Sequence, residues 1–554
     1  MVRVNSLRGM AGILLMIAVL SKGMQHGHMD RGILHTLIHS NPLFNPLKEY
    51  IKQSQYAIIH NPDKYNVAYV RQGSALATEE IFWRNRRFAK IKAAQEKFLG
   101  MSLADDEVLE IAISCSGGGF RAMLGALGSL KVAEETGLLD CVMSLATLSG
   151  STWLVAPWIT SGMSLSAYKD FILPKLSWGL LPDHVHEFTN VIDRFLVKFA
   201  YAQPLTLVDL YGGLLANTLF EMCGKESLEV YLSGTIHENA PSQEKRIAHA
   251  NYPFPIYTAV LGDMDYAQEW FEFTPYEVGC RSFNAYIPSW SFGRTFKQGV
   301  STNDAPEQAL AYLLGIFGSA FAFNFEQAYD ILIRQFVNIP FLQPLIESIV
   351  YSELGKIRLA YAEVCNFMYK MPECVLHKRK TLKLVDAGLE FMNPIFATYR
   401  KAPDGEAPDM VIVCDYSESG LGLPELSKAA AYAKRKNLKF SYIPHDELCG
   451  KRTITVFKEN NLEVPVILYM PRIKDDTLLS SCMYDVRYAY YTQCLSDLDW
   501  ENEISQGFAD TLNLEYTKQQ AEVVCALHEF NMLVNIDNIR NEMKERVLTK
   551  RFSK

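Results

Sequence analysis

The run Val108–Ser114 has the length and β-branched content of a strand buried in a parallel sheet. Three glycines, Gly117, Gly118 and Gly119, then turn the chain. From Phe120 the apolar residues Met123, Leu124, Leu127, Leu130 and Val132 recur near helical spacing until Gly137 supplies a stop. A second apolar run, Cys141–Leu148, follows. A helix of this length between two strands makes a right-handed crossover, so the strands lie parallel with their carboxyl ends on one edge. The fold class expected is therefore α/β, with a mostly parallel central sheet flanked by helices.

Other periodicities extend this picture. Ala77–Leu99 places Ile81, Phe88, Ile91 and Phe98 as one face of an amphipathic helix, with a basic side turned to solvent or to a membrane surface. Helical stretches are expected over Leu205–Leu219 and Pro306–Phe336, and the apolar run Ala309–Phe325 suits the core better than an acyl channel. Leu382–Val385, Met410–Cys414 and Val464–Tyr469 read as further strands, with a helix over Pro424–Arg435. Toward the start, Arg3 and Arg8 precede the apolar run Met10–Leu20, which suits a signal or anchor within residues 1–22 as well as a helix packed on the domain. Pro42, Pro46 and Pro62 mark an irregular lead-in, so the expected division is a segment over 1–60 and one large domain over 61–554.

Two turns at the same sheet edge carry the candidate chemistry. Glycines let bare backbone N–H groups approach a ligand, and the helix behind them adds positive potential suited to an oxyanion or a phosphate. Ser149 sits at the second turn, also followed at once by a helix. A hydroxyl beside a cradle of donors is what acyl transfer requires: a nucleophile for a carbonyl and stabilisation for the oxyanion it creates. Each turn alone has a plainer use. The glycines suit close packing or a nucleotide phosphate, although Arg121 stands where a phosphate loop would carry Gly-Lys-Ser/Thr. Ser149 suits an ordinary helix N-cap, and Thr147 and Ser151 replace both glycines of a G-x-S-x-G elbow. Asp386 ends the strand Leu382–Val385 before the small turn Ala387-Gly388, as a general base or as a turn aspartate.

The blocks SGGGFRAM at 116–123 and LSGSTW at 148–153 resemble the catalytic motifs of the cytosolic phospholipase A2 and fungal lysophospholipase (phospholipase B) family. PLTLVDLYG at 204–212, YPFPIYTA at 252–259, FEFTPYEVG at 271–279, GIFGSAF at 315–321 and VDAGLEFMNP at 385–394 extend the likeness over residues 70 to 420. The resemblance implies a patatin-like Ser-Asp hydrolase architecture with lid or cap insertions at 330–380, where Phe336, Ile339 and Phe341 are lid candidates. It also implies Ser149 as nucleophile and Asp386 as base without a histidine, and an oxyanion hole from Gly117, Gly118 and Gly119. Arg121, with Arg400 as a looser second, would meet the substrate phosphate. The substrate implied is a phospholipid or lysophospholipid reached by peripheral contact with a membrane, with no cofactor or metal. The calcium-binding C2 module that often precedes this region in the family finds no comparable length here. The family usually has glycine where this chain has Thr147.

Composition narrows the partners. The 554 residues are 49% hydrophobic, enough for a large core, and the net charge of −8 gives no global attraction to nucleic acid or anionic lipid. The eleven cysteines form no C-x-x-C pair, and Cys115, Cys141 and Cys414 fall inside expected strands. Reduced thiols and a cytoplasmic setting follow. His26, His28, His35 and His39 cluster without carboxylate or cysteine ligands and read as a polar surface. Two rivals stay open: a transacylase or non-phospholipid esterase using the same dyad, and a non-enzymatic lipid-binding protein that keeps the fold.

Overall fold

The computed structural model describes residues 61–178, Lys198, and, with short breaks, 201–320 and 361–553. Met10–Leu20, the histidines His26, His28, His35 and His39, and the lid candidates Phe336, Ile339 and Phe341 lie outside the described residues. Early strands are β1 (Arg71–Gln72), β2 (Ile111–Cys115), β3 (Ser144–Leu148), β4 (Phe254–Leu261), β5 (Trp270–Phe273), β6 (Glu277–Cys280) and β7 (Ala285–Pro288). Later ones are β8 (Phe296–Lys297), β9 (Val300–Ser301), β10 (Tyr361–Cys365), β11 (Thr381–Asp386), β12 (Met410–Asp415), β13 (Thr455–Phe457) and β14 (Val466–Pro471). All but β8 and β9 join one sheet, in the order β1-β7-β6-β5-β4-β3-β2-β12-β14-β13, with β10 and β11 attached through β4.

The centre of this sheet, β4-β3-β2-β12-β14, is parallel, and its flanks are antiparallel. The principal helices are α1 (Thr78–Leu99), α2 (Gly119–Glu135), α3 (Gly150–Ser161), α4 (Leu207–Leu219), α5 (Leu310–Phe317), α6 (Leu423–Lys436) and α7 (Lys518–Phe552). Strand alternation divides the core between the two faces. Met410, Ile412 and Cys414 of β12 join the larger cluster with α2 and α3, while Val411 and Val413 join Phe396, Tyr399 and Tyr432 on the other side.

One pairing decides where Ser149 and Asp386 fall. Because β5 occupies one edge of β4, the other edge is shared by β3, parallel over Phe254–Thr258, and β11, antiparallel over Ala259–Leu261. Leu148 at the end of β3 faces Thr258, and Asp386 at the end of β11 faces the next residue, Ala259. The two strands therefore run toward each other along one neighbour and stop head to head. Ser149 and Asp386 meet at the gap.

Three expectations change. The buried face of α1 is not the apolar stripe alone: Glu80, Arg84 and Arg87 are buried with Trp83 and Ile91, while Ile81 and Phe88 are only partly covered. Arg87 donates to the carbonyls of Ala250 at 2.9 Å and Val142 at 2.9 Å, so this part of the basic side pins other elements instead of facing solvent. Cys141 closes a short 3-10 turn, Leu139–Cys141, before the strand begins. Of the apolar run Ala309–Phe325, the helical part Leu310–Phe317 is buried throughout. Among the described residues no helix is long and apolar enough to cross a membrane.

Candidate active site

Ser149 has φ 50 and ψ −126, a left-handed conformation for a residue with a side chain, which costs about 1–3 kcal/mol and persists only where its surroundings impose it. The surroundings are two glycines. A methyl at Gly150 would sit 1.9 Å from the Gly119 carbonyl oxygen, and one at Gly117 would sit 2.9 Å from Ser149 Cβ. The glycine turn and the serine turn are thus pressed together, with the amino ends of α2 and α3 converging on the same space. Gly150→Ala is expected to push them apart and lower any ester hydrolysis about a hundredfold, measured as kcat/KM, because a displacement near 1 Å has that effect on a preorganised site.

Thr147 and Ser151, where the usual elbow has glycines, have their own partners. Thr147 Oγ1 shares a hydrogen bond with Thr152 Oγ1 at 2.9 Å. Ser151 Oγ lies 2.9 Å from the Leu148 carbonyl and 3.0 Å from that of Cys115, tying the ends of β2 and β3 together. The elbow closes without the glycines.

Ser149 Oγ donates to Asp386 Oδ2 at 2.8 Å. The other carboxylate oxygen accepts from Gly388 N–H at 2.8 Å, and the Asp386 N–H donates to Ser319 Oγ at 2.9 Å. Burial pushes the Asp386 carboxyl up to about 7, against hydrogen bonds from Gly388, Ser149 and Ala320 that favour its charged form. Among the described residues no histidine bonds either partner.

The glycine cradle divides. Gly117 N–H donates to the Met392 carbonyl at 3.2 Å, so this glycine serves close approach and is spent as a donor. Gly118, at φ 131, and Gly119, at φ 61, have N–H groups with no protein acceptor among the described residues, as an oxyanion site requires.

Both candidate phosphate-binding arginines are occupied by protein. Arg121 is fully buried and donates to the carbonyls of Tyr416 at 3.0 Å and Ala509 at 2.8 Å and to Thr511 Oγ1 at 2.8 Å. It lies directly under Gly118, where a methyl would be 2.9 Å from its guanidinium, and it locks the cradle to the segment after β12. Arg400 is held in a buried ion cluster. Its Nε donates to Glu80 at 2.9 Å, and its terminal nitrogens reach Glu80 and Glu272. The family resemblance implies a substrate contact for Arg400; in this structure two buried carboxylates, on α1 and β5, take its charge.

Sequence reasoning did not single out Ser319 or Met392, which bond Asp386 and Gly117, although both fall in the conspicuous blocks GIFGSAF and VDAGLEFMNP. Asn393, beside Met392, is more than nine-tenths buried with neither end of its amide bonded among the described residues.

A parallel-centred sheet carrying a strained serine elbow, a glycine donor cradle and a buried carboxylate at one point defines an α/β architecture of the hydrolase type. Within that class, residues 111–388 match the lysophospholipase catalytic domain family, and the chain belongs to it. Human cytosolic phospholipase A2 epsilon is 30% identical over 278 residues, covering 47% of this chain and 30% of its own length. Human cytosolic phospholipase A2 zeta is 31% identical over 275 residues, with 47% and 30% covered. The chain thus matches about a third of the length of these curated relatives. The solved structure of human GIVD cytosolic phospholipase A2 shares the fold, with a TM-score of 0.72, 20% identity, and 87% of this chain and 68% of that one covered. The same protein in complex with methyl gamma-linolenyl fluorophosphonate gives a TM-score of 0.65, again at 20% identity, over 87% of this chain and 66% of that one.

Proposed function

We propose that the chain is a serine esterase that hydrolyses acyl esters of glycerophospholipids or lysophospholipids through a Ser149–Asp386 dyad and an acyl-serine. The 2.8 Å hydrogen bond from Ser149 Oγ to a carboxylate that burial makes basic is the observation that carries this reading. Asp386 takes the hydroxyl proton as Ser149 Oγ attacks the ester carbonyl, and the Gly118 and Gly119 amides receive the negative charge on its oxygen. The carbon–oxygen bond to the glycerol side then breaks, the leaving oxygen takes the proton from Asp386, and the acyl group stays on Ser149. Water, deprotonated by the same carboxylate, attacks the acyl-serine; the bond from the acyl carbon to Oγ breaks, Ser149 Oγ takes the proton back from Asp386, and the fatty acid is released. Arg121 acts by fixing the cradle. The substrate lies in a membrane, so the protein works at a cytoplasmic membrane surface by peripheral contact, with residues 61–554 as one catalytic unit.

A fluorophosphonate probe tests this cheaply, since phosphonylation of an activated serine, with loss of fluoride, needs the nucleophile and no lipid interface. Labelling of the wild type, lost in Ser149→Ala together with lysophospholipid hydrolysis, is the expected result. A folded wild type that stays unlabelled overturns the esterase and leaves a lipid-binding protein.

A further inference from the structure

Next to Trp153, close enough to feel the charge of Asp386, lies one more polar group that neither the dyad nor the cradle uses. Tyr211 lies on α4, whose Gly212 packs so closely on α5 that a methyl there would be 2.6 Å from the Ala311 carbonyl oxygen. Two residues beyond α5, Ser319 holds the Asp386 N–H at 2.9 Å, so α4 is positioned through the same support that positions the base. The Tyr211 ring packs on Trp153, centroids 6.4 Å apart, and Trp153 packs edge-on against Phe120 at 5.7 Å. Trp153 lies one turn below Ser149 on α3, and Phe120 follows Gly119 on α2. The phenol ring therefore stands at one end of a row of rings, Tyr211, Trp153, Phe120 and Tyr516, whose middle two belong to the helices that follow Ser149 and Gly118.

The hydroxyl at the end of that ring is buried and has no hydrogen-bond partner among the described residues, although the side chain as a whole is partly open. An unbonded buried hydroxyl is costly and is rare unless something completes it. Burial, and then the charge of Asp386, push the phenol well above its ordinary value. It keeps its proton and is a donor at every working pH.

Resting on the esterase reading, we infer that the Tyr211 hydroxyl is a third catalytic group, which donates a hydrogen bond to the leaving-group oxygen of the ester. As the bond from the acyl carbon to that oxygen breaks, negative charge grows on the oxygen. The phenol stabilises the charge until the proton held by Asp386 is delivered there, and Tyr211 retains its own proton throughout. Without a histidine in the dyad, no other side-chain donor is assigned to the departing oxygen. The requirement is greatest for a glycerol alkoxide, a poor leaving group, and small for a nitrophenolate.

The test is Tyr211→Phe in the full chain, assayed on palmitoyl lysophosphatidylcholine and on p-nitrophenyl palmitate in the same detergent. The expected loss of kcat is about 30-fold on the glyceryl ester and about threefold or less on the nitrophenyl ester, with KM nearly constant. Equal losses on both esters, with or without a lower melting temperature, identify a packing role and overturn the inference. So does an unchanged rate on the glyceryl ester. A wild type that cleaves neither ester and takes no fluorophosphonate label marks failure of the esterase reading itself, and this inference falls with it.

Discussion

Asp386→Asn is expected to lower kcat/KM on lysophospholipid by about 10³-fold at pH 8, because an amide of the same shape keeps the Gly388 bond but cannot take the serine proton. The wild-type rate should rise with pH and level off above about 7, where the buried carboxyl loses its proton. A pH–rate profile with an acid limb near this value, absent from the residual activity of the variant, is the measurement. Stability should move the opposite way. The folded carboxyl holds its proton up to about 7 while the unfolded one releases it near the ordinary 3.8, so between these values the native state binds more protons. Stability therefore falls as pH rises through that window and is flat above it. Asp386→Asn removes this loss, so melting curves at pH 5 and pH 8 should show the variant gaining on the wild type at the higher pH.

Arg400→Met is the second large effect, and it concerns folding. Arg400, Glu80 and Glu272 are each at least 95% buried. Burial opposes the charge on Arg400, but Glu80 and Glu272 outweigh it and hold the guanidinium above its ordinary value. Burial likewise opposes the Glu80 charge, and Arg400 with Arg84 outweighs it. Glu272, which Arg400 touches through one nitrogen only, stays raised by burial. Removing the arginine leaves two carboxylates in the interior, Glu80 with Arg84 at 3.1 Å and Glu272 with the charge of Arg281. The expected loss is about 3–5 kcal/mol, read from urea denaturation. Adding Glu80→Gln and Glu272→Gln should restore most of it. An arginine that bound substrate phosphate would instead raise KM at unchanged stability.

The same cluster marks where sequence reasoning stops. Apolar periodicity located β2, α2, β3 and α6 within three residues at each end, because local spacing determines which face is buried. It misjudged α1, where Glu80, Arg84 and Arg87 lie inward, since a buried ion pair leaves the same letters as a solvated face. Ser149 and the glycine turn were legible because their geometry is local: a strand, a tight turn and a helix in consecutive residues. That Gly117 gives its N–H to Met392 was not, as the acceptor is 275 residues away and the two touch only in the folded sheet. Asp386 stood out through its block and as the end of the strand Leu382–Val385, but its place against Ser149 did not. That place depends on β11 running against β4, a register that no short stretch of sequence encodes.

This head-to-head arrangement has a consequence for the protein's own synthesis. With the proposed dyad, Ser149 emerges from the ribosome 237 residues before Asp386, and the two come within hydrogen-bond reach only when the later strand docks beside Ala259. On that proposal a half-made or half-folded chain cannot hydrolyse a lipid ester, and competence arrives in one step, with the closing of a single ladder.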